Sequence, residues 1–412
     1  MSTTRSNHFF LDYIQKLFST KISTLILIVL CFLAADLVIN QVSDVLAPQN
    51  KSLGGIILFI VISFIYSIGQ YGILRFMGNA NKNAREKSPL IKKVHTAIRI
   101  QQLILVAIIW IIIIEILASS RYETFMLTIL ISVSVLTTIV LNFIFSYKML
   151  TWYKWNRNSK SVLLFGLAFL TGGIWYIPFL ITEVFHLSHL EPVRTAQSEV
   201  SFPDTAEEKG YFFQALSLIY NYFKLASFIL LLAATALLIR QYAQKIGKIK
   251  FWILIALPFL YYVSTLVDVF GFYVPETDNE ILIYYTLASL NMVAGGILFA
   301  IPFRSMAKTI RKDDPIRKYM MMCAFGFIVF FGLNQTTIFI APYPPYGVAA
   351  QSINGLSTYM IFSGIYSTAI AMSQNMNVRQ SIRRIALSET NLLNSIGSAQ
   401  MDSQIHGVVL QM

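Results

Sequence analysis

The chain is poor in the residues and motifs that most enzymes need. It has no HExxH metalloprotease motif and no Walker-type phosphate loop. Its two cysteines, Cys31 and Cys323, both fall inside apolar runs, which argues against a structural disulfide and against a zinc cluster. The five histidines lie outside the interiors of those runs, so an intramembrane Ser–His dyad is not expected. Asp36 and Asp268 lack the Gly-Asp context of an intramembrane aspartyl pair. Together these absences point away from catalysis. Charge is scarce as well: 13% of the 412 residues are charged and 56% are apolar, the balance of a bilayer protein rather than a soluble globule. A formal charge of +12 would suggest nucleic acid in a soluble protein, but here it follows from where the basic residues sit.

What the sequence does have is ten long apolar stretches, over 22–41, 53–76, 98–118, 124–147, 161–185, 213–239, 250–271, 280–303, 318–340 and 348–373. Each has about the 20 residues that an α-helix needs to cross a hydrocarbon core of roughly 30 Å. Taken as spans one to ten, they leave alternating loops, and the basic residues fall almost entirely on one side. Of 32 lysines and arginines, only Lys51, Arg121, Arg194 and Lys209 lie on the other side, and Lys224 lies within span six. Positive loops stay cytoplasmic. The expectation is therefore an all-α polytopic transmembrane bundle of about ten spans in the cell membrane, with both termini in the cytoplasm. Strands would instead give short alternating segments. Aromatic residues fall where the ends of the spans are expected, with Tyr147, Trp152, Tyr153 and Trp155 inside and Tyr343 and Tyr346 outside.

Three regions are expected. Residues 1–21 include an amphipathic stripe of Phe9, Phe10, Tyr13, Ile14, Leu17 and Phe18, suited to lying on the cytoplasmic leaflet. Residues 22–373 form the membrane domain. Residues 374–412 form a polar tail in which Val378, Ile382, Ile385, Leu392, Ile396 and Ala399 keep a near-heptad rhythm. Such a helix suits self-association or a cytoplasmic protein partner, and it suits equally a fold back onto the basic inner loops.

Polar side chains inside the bilayer are expensive, so their placement is the main functional clue. Gln214, Ser217, Asn221 and Lys224 make one helical stripe on the outer half of span six. Asp268 of span seven, Asn291 of span eight, Asn334 and Gln335 of span nine and Asn354 of span ten add to them. The inner halves of spans six to nine carry no charge and no side-chain amide, while Gln70 and Asn142 are the inner-half exceptions elsewhere. This pattern predicts a ligand-binding pocket open to the outside and closed below by hydrocarbon. Lys224 pairs best with Asp268 there, with Glu115 or Glu183 as alternatives; an ion pair that merely holds two helices fits the same residues. Glu183, His186 and His189 at the outer end of span five have a spacing able to hold zinc or copper.

On these grounds the expected role is that of a receptor or sensor for a small external ligand or ion. The rival is a secondary transporter. Gly172-Gly173 and Gly295-Gly296, with Pro178, Pro258 and Pro302, are then the expected helix breaks. The residues name no particular cofactor, and lipid is the expected partner, with no nucleic acid.

Overall fold

The structure, a computed structural model, describes residues 22–41, 52–157, 159–188, 193–194, 211–239, 296–308, 310, 314–333, 343–374 and 396–402, with isolated residues at 252, 256, 280 and 283. The described chain is almost entirely helical. In chain order it contains α1 (Ile22–Gln41), α2 (Leu53–Ala80), α3 (Lys82–Lys87), α4 (Pro89–Ser119), β1 (Arg121–Tyr122), α5 (Thr124–Trp155), α6 (Lys160–Ser188), β2 (Val193–Arg194) and α7 (Tyr211–Ile239). Residues 296–308 form α8, followed by α9 (Pro315–Leu333), α10 (Val348–Ser352) and α11 (Asn354–Gln374), and residues 396–402 form α12. Six of these, α2, α4, α5, α6, α7 and α9, are long and apolar enough to cross a membrane. Apart from those isolated residues, span seven and the outer part of span eight lie outside the described residues, as do 334–340 of span nine, the amphipathic stripe over 8–20 and most of the tail.

Local sequence explains the boundaries. Ser52 caps α2 by accepting from the Gly55 N–H at 3.2 Å. Pro89 opens α4, where its missing N–H costs nothing. That start lies nine residues before the apolar run, because a helix continues past the hydrocarbon edge into water. Along α2, Ile57, Val61, Phe64 and Ile68 are exposed while Phe59, Ile62, Tyr66, Ile73 and Met77 are buried. Both faces of the helix are therefore apolar, and the outward one suits lipid.

The alternation of loops is visible in which ends meet. Arg121 and Tyr122 pair antiparallel with Arg194 and Val193, a two-residue ladder that an all-helical reading did not foresee. Tyr122 stacks on Tyr343 at 6.4 Å, and Tyr346 donates to the Gly55 carbonyl at 2.6 Å. These loops, which the charge map puts outside, thus gather at one end. At the opposite end Ser367 donates to Asn81 Oδ1 at 3.0 Å, and Trp152 Nε1 donates to Gln400 Oε1 at 2.9 Å. Burial pushes the Tyr122 and Tyr346 phenols well above their ordinary range.

The packing corrects several expectations. Trp152, Tyr343 and Tyr346 are not girdle residues: each is almost wholly buried, and Trp152 stacks on Tyr366. Tyr147 and Trp155 do remain exposed. Among the described residues the expected breakers do not break their helices, and Pro258 and Gly295 lie outside those residues. Lys160–Ser188 runs as one helix through Gly172, Gly173 and Pro178, and 296–308 runs through Pro302. The interruption falls instead in span ten, at Ile353 between α10 and α11.

Span ten is also the centre of the bundle. Every described side chain from Tyr343 to Ile370 is buried. α9 packs along α11, with α4 and α5 on its other sides, and α1, α2, α4 and α5 close around α10. α6 lies outside α5, and α7 lies outside α6. The approach of α9 to α11 is close enough to require glycine. A Cβ on Gly364 would stand 2.7 Å from the Tyr319 carbonyl oxygen, and one on Gly326 would stand 2.9 Å from the Ile361 nitrogen. Between helices in lipid there is little hydrophobic drive, so such small-residue contacts and buried hydrogen bonds decide the assembly.

Candidate functional site

The interruption at Ile353 sets up the most polar place in the described bundle. A helix break frees carbonyls that the N–H groups four residues on would otherwise take, and a buried carbonyl without a partner is costly. Two side chains take up this need. Ser134 of α5 donates to the Gln351 carbonyl at 2.7 Å, and Gln102 Nε2 of α4 donates to the Ser352 carbonyl at 3.0 Å. Gln102 Nε2 also donates to Gln101 Oε1 at 3.1 Å, while Gln102 Oε1 accepts from the Tyr66 hydroxyl at 3.0 Å. Asn354, the first residue of α11, donates through Nδ2 to Gln351 Oε1 at 3.1 Å. All of these side chains are buried.

The outward side of the break is built on Asp36 of α1. Its Oδ1 accepts from the Gly347 N–H at 2.9 Å and its Oδ2 from the Ala350 N–H at 3.1 Å. The carboxyl therefore caps α10 and is already committed there. Gly347 sits at φ +90°, where a side chain is strained, and a Cβ on it would stand 2.9 Å from Asn40. Asp36 is thus a structural member of the break rather than a free acid.

Three groups at the break, Gln101 Nε2, Asn354 Oδ1 and Asn40 Oδ1, are buried without a hydrogen-bond partner, as are Ser63 Oγ and Gln70 Oε1 along α2. Native interiors pair nearly all such atoms, and each one left alone costs about 1–3 kcal/mol. Gln101 Nε2 lies against the first turn of α11, 3.3 Å from where a Gly355 Cβ would be. An unmet donor on Gln101 and an unmet acceptor on Asn354 therefore belong to one connected patch. Chemically it offers a hydrogen-bonding ligand one donor and one acceptor.

The residues that the sequence singled out are spread more widely. Asn354 is at the break. Gln214 and Ser217 lie exposed on α7, and Asn221 is half-buried and donates to Ser217 at 3.5 Å. Lys224 is half-buried; its Nζ donates to the Tyr220 hydroxyl at 3.0 Å and lies 5.0 Å from the centre of the Tyr220 ring. Neither alternative acid serves it: Glu115 accepts from the Glu123 N–H, and Glu183 Oε1 is unpartnered. Asp268, Asn291, Asn334 and Gln335 lie outside the described residues. Of the metal set, Glu183 is buried and half-buried His186 packs against Phe213, while His189 lies outside the described residues. Among the described residues, no group of three His, Cys, Asp or Glu side chains is gathered.

The residues missed by sequence reasoning are Gln101, Gln102, Ser134 and Tyr66. Gln101-Gln102 sit near the start of span three, where an amide pair reads as interfacial. Their importance comes only from facing the break. A usable signal was the polarity of span ten itself, whose Gln351, Ser352, Asn354, Ser357, Thr358, Ser363, Ser367 and Thr368 all turn out to be buried. No family model, no curated protein and no solved structure matches this chain.

Proposed function

We propose that the chain is a multi-pass cell-membrane protein of ten spans with both ends in the cytoplasm. In this reading it is a receptor-like sensor, without catalysis of its own, that holds a small ligand at the interrupted last span. One observation carries the reading: the break in a fully enclosed helix is bordered by Gln101 Nε2 and Asn354 Oδ1, both buried and both without a partner. The charge map supports the orientation, and the meeting of alternate loops at opposite ends agrees with it.

The route from ligand to cytoplasm is short. α11 runs from the break to Met372, and Gly397 of α12 packs against Met372, where a Cβ would stand 2.9 Å from its side chain. Ile396 and Ala399 are buried, and Gln400 accepts from Trp152. This contact supports the fold-back option for the tail. A shift of α11 on ligand binding would be felt by residues 396–402 and passed to a cytoplasmic partner or a second copy.

A specific observation also favours the carrier reading. Discontinuous helices whose free backbone groups face polar side chains are a recurrent device for substrate binding in transporters. The break of α10 and α11 has that form, although it lies in span ten and not at the glycine pairs.

A thermal-shift screen of the purified protein against metals and small polar metabolites tests the proposal. A stabilising hit should be lost in Gln101→Leu and Asn354→Leu and kept in Lys224→Ala. A hit lost only in Lys224→Ala would move the site to the α7 stripe and overturn the placement at the break. Uptake of the hit by proteoliposomes would select the carrier over the sensor.

A further inference from the structure

A second unsatisfied place lies deeper in the bundle, away from the break. Asn142 of α5, Gly172 of α6 and Ser227 of α7 each fall near the middle of their helix. Asn142 is only 1% exposed, yet neither its Nδ2 nor its Oδ1 has a hydrogen-bond partner. A side-chain amide has two donor hydrogens and an oxygen with two lone pairs, so its whole capacity is unused. Gly172 leaves space beside it. A Cβ on Gly172 would stand 3.7 Å from Asn142 Nδ2 and 3.5 Å from Ser227 Oγ, which is ordinary contact. Ser227 Oγ donates to the Ala168 carbonyl at 2.8 Å and keeps its lone pairs for a further donor.

The other polar groups nearby are already engaged. Thr138 and Ser146 stand one turn to either side of Asn142 on α5. Thr138 donates to the Ser134 carbonyl at 3.0 Å, and Ser146 donates to the Gly166 carbonyl at 2.8 Å. Lys224, one turn from Ser227, directs its Nζ to Tyr220 instead. The three residues of the site are uncharged, and an ion at mid-depth would need a charged partner.

We propose that Asn142, Gly172 and Ser227 form a guest site at mid-depth for a small neutral group bearing both a hydrogen-bond donor and an acceptor. A water molecule has that chemistry, and so does the amide or alcohol head of a solute. The guest accepts from Asn142 Nδ2, donates to Asn142 Oδ1 and reaches Ser227 Oγ across the space that Gly172 leaves. The site lies between α5, α6 and α7 and is independent of the ligand proposed at the helix break.

The test uses the full chain in nanodiscs, prepared in solute-free buffer, as wild type and as Gly172→Ala. Alanine fits without a clash and is the better helix former, so in an empty site it would leave Tm unchanged or raise it. With a guest, the methyl takes the guest's space and strands the amide, and Tm falls by about 2 °C or more. A density map that resolves waters should show a peak within hydrogen-bond distance of both amide atoms in wild type and none in Gly172→Ala. Acetamide is the solute probe. A saturable rise of wild-type Tm with acetamide, absent in Gly172→Ala, identifies a solute head as the guest. A peak in solute-free buffer with no acetamide response identifies water. No peak in wild type, together with an unchanged or higher Tm in Gly172→Ala, overturns the proposal.

Discussion

The two flanks of the bundle solve the problem of polar groups in lipid differently. Around α11, Asp36, Gln102, Ser134 and Tyr66 are buried and spend their hydrogen bonds on one another or on the backbone of the last span. On α7, Gln214 and Ser217 are exposed, and Lys224 bonds only one turn back to Tyr220. The first flank uses polarity to hold an interrupted helix in place. The second exposes Gln214 and Ser217, turns Lys224 back along its own helix, and bonds across to α6 from Ser227. Polar residues in a membrane sequence therefore do not all report the same thing, and burial distinguishes the two uses.

Substitutions can break that contrast or sharpen it. Asp36→Ala should have the largest effect, because it leaves two buried N–H groups at Gly347 and Ala350 without acceptors. A loss of about 2–3 kcal/mol is expected, read as reduced resistance to denaturation in micelles. A loss below half of that would mean that α10 holds its shape without the cap. Gln102→Leu should come next, at about 1–2 kcal/mol, since it removes the acceptor of the Tyr66 hydroxyl and the side-chain donor to the Ser352 carbonyl together. Pairing it with Tyr66→Phe in a double-mutant cycle should show coupling; simple additivity would remove the network from the account. Lys224→Met should have the smallest effect, within about 0.5 kcal/mol, as for most substitutions away from buried networks. A large loss there would show that the α7 stripe is a packed face and that the contrast between flanks is wrong.

Much of the fold was legible from the chain alone. Apolar runs of spanning length coincide with helices at α1, α2, α4, α5, α6, α7 and α9, because in lipid a helix must satisfy its own backbone. The loops that the charge map put on a common side meet one another, as Arg121 with Arg194 and Tyr346 with Gly55 show. The site was legible only in part. Asn354 was named from its amide in a span, but its neighbours Gln101 and Gln102 were not, and Gly172-Gly173 and Pro178 were expected to break a helix that stays whole. Glycine and proline mark where a helix can be interrupted. Whether it is interrupted depends on side chains from other helices, here Asp36, Gln102 and Ser134, being present to take the freed groups.

The sequence by itself determined that this protein is helical and apolar enough for a bilayer. These properties follow from each segment's own solvation and need no neighbour. Only the tertiary structure decided that the last span is the axis of the bundle, that it breaks at Ile353, and that Asn142 is stranded at mid-depth beside Gly172. Those are properties of which helix faces which, and a hydrogen bond between Gln102 and Ser352 joins residues 250 positions apart. No local pattern encodes such a partner, because the same amide near a helix end would serve equally well facing water.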